Sequence, residues 1–139
     1  MKVADVMTTN VRLVTPNQTL REAAKMMLEA DIGAVPVTEN DRLVGMITDR
    51  DIAVRGVANG KGPSAKVKAI MTEQVKYCFE DEDLDQISKN MASIQMRRLP
   101  VMNREKRLVG IVSLGDLATT NRPHGEAEQA LHGVSRAGE

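Results

Sequence analysis

Two stretches of the chain carry apolar residues at helical spacing, and several shorter ones alternate or run β-branched. Leu20, Ala23, Ala24, Met27 and Leu28 fall on one face of a 3.6-residue period, which predicts a helix over Leu20–Ala30. Thr19 stands three residues before Glu22, the spacing of a capping box at that helix's start. Leu84, Ile87, Met91 and Ile94 repeat the pattern and predict a second helix over Leu84–Ile94. Strands are predicted at Val11–Val14 and Val75–Cys78, and over "AVPVT" (34–38) and "RLVGMIT" (42–48), the last two joined by the turn "ENDR". Short amphipathic turns, Val3–Met7 and Val67–Met71, open the two halves, and a further helix is expected to start at Asp49 and again at Leu114.

The two halves are the same pattern written twice. With a shift of 64 residues "VADVMTTNV" (3–11) overlies "VKAIMTEQV" (67–75), Leu20 meets Leu84, and Pro36-Val37 meets Pro100-Val101. One residue inserted near Lys106 moves the shift to 65, after which "LVGMITDRD" (43–51) overlies "LVGIVSLGD" (108–116). A register held over this length is a statement about architecture. It predicts an α+β fold of two β-α-β-β-α repeats, residues 1–58 and 67–120. A Gly- and Pro-containing linker at 59–66 and a polar tail at 121–139, with a short helix around Gly125–Leu131, complete the plan. A unit of roughly 60 residues buries too little surface to be comfortably stable alone. The repeats are therefore expected to pack as a pseudo-twofold pair.

Composition narrows the function classes. Nineteen basic and nineteen acidic residues cancel, so the strong positive field of a nucleic-acid or membrane-surface binder is missing. One Tyr, one Phe and no Trp leave no aromatic ladder for single-stranded nucleic acid, and nine methionines fill apolar volume instead. No apolar run reaches the length of a membrane span, and "MKVADVMTTN" is too polar for a secretory signal. With Cys78 the only cysteine, an internal disulfide is impossible, and a reducing cytoplasm is the expected location.

In each repeat a Pro-Val pair lies on one strand and a glycine opens the next, followed by a hydroxyl residue and, three residues on, an aspartate. The pairs are Thr48 with Asp51 and Ser113 with Asp116. A carboxylate in a helix's first turn can accept from both hydroxyls of a ribose, and a strand-to-helix corner directs backbone N–H groups at anions. The same residues are also ordinary N-caps, and capping alone would explain one copy.

Over residues 1–120 these motifs resemble tandem cystathionine β-synthase (CBS) domains, in particular the small stand-alone bacterial CBS pairs that include hypoxic-response proteins. The resemblance implies a regulatory module, usually a homodimer. Such a module binds adenosine-containing ligands (AMP, ADP, ATP or NAD) in clefts that take an aspartate from one repeat and a base-binding strand from the other. It requires no cofactor and relays occupancy to a partner protein not readable from the sequence. On that pattern the better cleft would use Thr15, Ile32, Gly33 and Ala34 with Arg97, Arg98, Ile111, Ser113 and Asp116, the two guanidiniums suiting a phosphate. A second cleft would use Ile47, Thr48, Arg50, Asp51, Phe79 and Met96. There Phe79-Glu80 replaces Thr15-Pro16 and Arg97-Arg98 replaces Gly33-Ala34, so it is expected to be empty or to take a different ligand. Arg97-Arg98 as a plain surface pair, and a nucleotide-independent dimeric interaction protein, are the competing readings.

Other candidates carry less. "GKGPSAK" lacks the spacing of a phosphate loop, and His124 and His132 lack metal-ligand spacing, so no metal is expected. Cys78 aligns with Val14 as a small core residue, and no nucleophile–base constellation is visible, so the chain is not expected to be an enzyme.

Overall fold

The computed structural model describes residues 1–94 and 98–113. Helices and strands are mixed: α1 (Leu20–Ala30), β1 (Ala34–Glu39), β2 (Arg42–Thr48), β3 (Cys78–Phe79), α2 (Leu84–Ile94), β4 (Arg98–Met102) and β5 (Leu108–Ser113). Single 3-10 turns at Val3–Asp5 and Val67–Ala69 replace the predicted amphipathic turns at equivalent positions. Both long helices have the bounds the periodicity predicts. Thr19 accepts from the Glu22 backbone while the Glu22 carboxylate accepts from the Thr19 N–H, closing the capping box. Hydrogen bonds from Gln18 and from Thr19 hold the Glu22 carboxyl below its ordinary range.

On α1 the buried face is narrower than the pattern suggested. Leu20, Ala23 and Met27 are buried, but Ala24 is exposed and Leu28 is 82 % exposed, because β1 and β2 offer one flank of the helix a core and leave the other to solvent. The first strand of each half is also shorter than expected. Val11–Val14 contributes one parallel bridge, Val14 with Val37, and Val75–Cys78 shrinks to β3, which pairs parallel with β4.

The antiparallel hairpins β1–β2 and β4–β5 carry the two units. Asn40 and Asp41 both have positive φ between the paired Glu39 and Arg42, a two-residue turn whose twist matches the strands. In the second hairpin the inserted residue absorbs the extra length as Lys106 at φ 64, and the Asn103 side chain accepts from Glu105 and Arg107 N–H. In both hairpins the register slips once, at Val44 and at Val109, the residue before the glycine of "LVG".

Contacts divide the chain into two compact units that do not coincide with the repeats. The continuous unit is Arg12–Val75; the split unit joins Met1–Val11 to the described residues from Lys76 onward. Each repeat's first turn therefore belongs to the other repeat's unit. Val3 is wholly buried with Cys78, Leu84, Ile87, Met91, Leu99, Val101 and Val112. Val67 and Ile70 are buried with Val14, Leu20, Val35, Val37 and Ile47. The expected linker is part of this arrangement: the Ala65 and Pro63 carbonyls accept from the Leu20 and Arg21 N–H groups and so cap α1. In the split unit the Met1 carbonyl accepts from Leu84 N–H in the same way at the start of α2.

Candidate functional site

In each unit one pair of the residues singled out in sequence sits where one hairpin strand begins and the other ends. In the continuous unit Ala34 is the register partner of Thr48; in the split unit Arg98 is the partner of Ser113. Directly opposed antiparallel residues have Cβ atoms about 5 Å apart. Each pairing thus sets a strand-entry residue beside a hydroxyl at a strand exit. Arg98 is exposed.

Beyond Thr48 the chain turns helical at Asp49, as predicted, and the Thr48–Asp51 pair forms a reciprocal cap. Asp51 Oδ2 accepts from Thr48 N–H at 2.9 Å, and Thr48 Oγ1 accepts from Asp51 N–H at 3.0 Å. The capping role is therefore real, and it orients Asp51 while Oδ1 stands 4.0 Å from Arg55 Nη1. From Asp51 to Gly56 the helix is π-wound before tightening to 3-10 over Val57–Asn59. The wide turn brings the buried Gly56 against Leu20, where an added Cβ would stand 3.3 Å from Leu20 Cδ1. A π stretch directly after a candidate ligand residue is a common companion of functional sites.

Three of the expected residues have surroundings that the sequence did not show. Ile47 is fully buried in the core cluster of its unit, so its side chain has no access to a ligand. Gly33 is exposed, but its carbonyl already accepts from Asp49 N–H, and the Asp49 carboxylate lies 3.1 Å from where a Cβ would stand. Phe79 already has a stacking partner. The Arg104 guanidinium lies 4.0 Å from its ring centroid, and Tyr77 meets it edge-on at 5.6 Å. Asp81 grips Arg104 with both carboxylate oxygens, 2.7–3.1 Å away, which holds Asp81 below the ordinary carboxylate range. Sequence reasoning did not find this cluster; the repeat register that set Phe79 opposite Thr15 carries no information about a partner 25 residues away.

Thr15 is exposed, and its N–H donates to Gln18 Oε1. Ile32 is half-buried and packs against the continuous unit's core, Ile111 is half-buried on β5, and Arg50 is exposed. Met96, Arg97 and Asp116, together with Leu114 and the tail with His124 and His132, lie outside the described residues. Thr15 and Ile32–Ala34 belong to the continuous unit, Arg98, Ile111 and Ser113 to the split unit.

Cys78 is buried, and burial raises its thiol from an ordinary 9.0 to about 12, with Glu82 adding to the shift. Its raised pKa makes folding favour the protonated thiol. This stabilisation is intact below about pH 9 and is lost as pH rises toward 12. The native protein at pH 8 is expected to leave a thiol-reactive disulfide dye uncoloured, and to react with one equivalent per chain once unfolded; colour from folded protein would contradict the burial.

Among the described residues no group of three or more His, Cys, Asp or Glu could hold a metal ion, and no helix is long and apolar enough to cross a membrane.

Comparison with known proteins bears on both halves. Residues 3–56 and 67–120 each match the model of the CBS domain. The CBS domain-containing protein YhcV of Bacillus subtilis is 43% identical over 133 residues, 96% of this chain and 94% of that protein. A crystal structure of Hypoxic Response Protein I with two coordinated zinc ions superposes with a TM-score of 0.78 at 37% identity, covering 88% of this chain and all of the other. The CBS domain pair of protein MJ0100, crystallised with 5′-methylthioadenosine and S-adenosyl-L-methionine, superposes at 0.72 with 29% identity, over 85% and 93% of the two chains.

Proposed function

Because the chain belongs to the CBS-domain family, carrying two such domains, we propose that it is a regulatory module that binds an adenosine-containing ligand and passes its occupancy to a partner protein. The observation that carries this reading is the pairing of Arg98 with Ser113 at the strand exit of the split unit, Ser113 being the last described residue and three before Asp116 in sequence. In the proposal Ser113 and Asp116 hold the ribose and Arg98 neutralises a phosphate, making AMP, ADP, ATP or NAD the ligand class; the base side falls to Thr15 and Ile32–Ala34. Support for the class comes from the relative MJ0100, whose crystals hold two adenosyl compounds. The module acts in the cytoplasm as a homodimer. It works by population shift: the ligand stabilises whichever arrangement lets these residues contact it together, and only a differential affinity moves the equilibrium.

Titration calorimetry on ligand-stripped protein tests it. Binding of AMP at about one site per chain is expected, and Asp116→Ala is expected to abolish most of it. Arg98→Ala should weaken AMP roughly 10- to 100-fold, the range of one or two charged hydrogen bonds, and leave adenosine nearly unchanged. Equal losses for AMP and adenosine would remove the phosphate role.

A second reading has its own observation. Asp49 stands beside Gly33 and the Arg104 guanidinium stacks on Phe79, so a base would have to share both places with a charged side chain. On this reading the chain is a nucleotide-independent interaction protein. Absence of heat with AMP, ATP, NAD and S-adenosylmethionine, from well-folded protein, would select it.

A further inference from the structure

One repeated motif is not used by ligand binding: the methionine-threonine pair that ends each first turn, Met7-Thr8 and Met71-Thr72. Both pairs are built into the structure identically. Thr8 exchanges two backbone hydrogen bonds with Ile111, at 2.8 and 2.9 Å, and Thr72 does the same with Met46. The methionine then lies over the glycine of "LVG". A Cβ on Gly110 would stand 2.7 Å from Met7 Sδ, and one on Gly45 would stand 2.8 Å from Met71 Sδ. In each socket the threonine carbonyl is 2.9 Å from the same point. Both thioethers are half-buried and pack against the core cluster of their unit, Met7 on the split unit and Met71 on the continuous one.

From this we infer that Met7 and Met71 are a matched pair of oxidation sites through which a peroxide loosens both units. Met7 and Met71 are only half-buried, which gives a small oxidant a shorter way in than at the buried methionines. In the reaction the sulfur lone pair attacks one oxygen of hydrogen peroxide, the S–O bond forms as the O–O bond breaks, and the departing hydroxide takes the proton of the transferred hydroxyl and leaves as water. The thioether loses two electrons and the peroxide gains them. The product is polar where the thioether was apolar, and its oxygen is a strong acceptor in a socket that already presents a carbonyl acceptor and no side chain. A polar S=O group packed against the apolar core cluster costs burial free energy, and moving it out to water gives up the methionine packing that holds the first turn on β2 or β5. Because each first turn is supplied by the other repeat, the two events act on both units. Met27, Met91 and Met102 are buried from the oxidant, and Met1 is 62 % exposed with no such socket.

The full chain is treated with graded hydrogen peroxide, and site-resolved sulfoxide content is followed by peptide mass spectrometry alongside the melting temperature. The melting temperature is expected to fall by roughly 5–10 °C in step with sulfoxide at Met7 and Met71. The double variant Met7→Leu/Met71→Leu should keep its own melting temperature through the same treatment, while Met26→Leu/Met46→Leu should still lose it. A fall that follows another methionine, that persists in the first double variant, or that is absent despite full oxidation at both sites overturns the inference. Should the first variant fail to fold, the site-by-site correlation in the unaltered chain decides alone.

Discussion

Gly110→Ala is expected to destabilise the protein by about 3 kcal/mol, the upper range for overpacking a tight site. The added methyl would meet the Thr8 carbonyl at 2.9 Å and Met7 Sδ at 2.7 Å. The thioether can swing aside. The carbonyl cannot, because Thr8 is fixed by two hydrogen bonds to Ile111. Gly45→Ala faces the same arrangement with Thr72 and Met71 and should cost as much. Gly62→Ala provides the control: nothing stands within 4 Å of its Cβ position, and its effect should be close to zero. Urea denaturation of the three variants decides the matter; a Gly110→Ala midpoint indistinguishable from that of Gly62→Ala would mean the socket is far softer than drawn.

Removal of residues 1–8 should damage the second repeat more than the first. The deleted stretch contributes Val3, wholly buried among the side chains of α2, β4 and β5, as well as Met7. It also removes the Val3-to-Glu82, Ala4-to-Glu80 and Leu84-to-Met1 backbone hydrogen bonds and the Thr8–Ile111 bridge. Burial of one valine is worth about 1.5–3 kcal/mol, and the lost hydrogen bonds add about 1 kcal/mol each where a buried group is left unpaired. A loss of about 4–6 kcal/mol approaches the whole stability of a small protein. Hydrogen exchange should therefore accelerate most across 84–94 and 98–113, although these residues lie more than seventy positions from the cut. Greater acceleration across 12–75 would show that the first turn serves its own repeat instead.

That outcome marks the boundary of what could be read from the chain. Short-range signals were legible: Thr19 and Glu22 set the start of α1, and the apolar period set both helices to the residue. The extra residue near Lys106 had its place as well, in a left-handed turn position. The doubled "LVG" was visible as a motif, but not as a register slip at valine followed by a glycine under a thioether. That meaning needs the methionine of a distant segment. Periodicity likewise assigned Leu28 to the buried face because it measures angle around a helix and says nothing of how far a neighbouring sheet extends. Of the candidate site, the Arg98–Ser113 and Ala34–Thr48 neighbours follow from hairpin register. The Asp49 carboxylate over Gly33 and the Arg104 guanidinium over Phe79 do not, since side-chain direction at a strand exit and a hairpin tip is set by tertiary packing.

The exchanged first turns also limit what one repeat could do alone. A chain holding a single repeat and using this same packing would lack the turn that closes its own core, and could obtain it only from another molecule while giving up its own. Its smallest folded form would have been a pair of chains joined by mutual loan. In the tandem chain the lender and the borrower are one polypeptide, and the continuous unit, Arg12–Val75, accordingly begins after the first repeat's opening turn and ends after the second's.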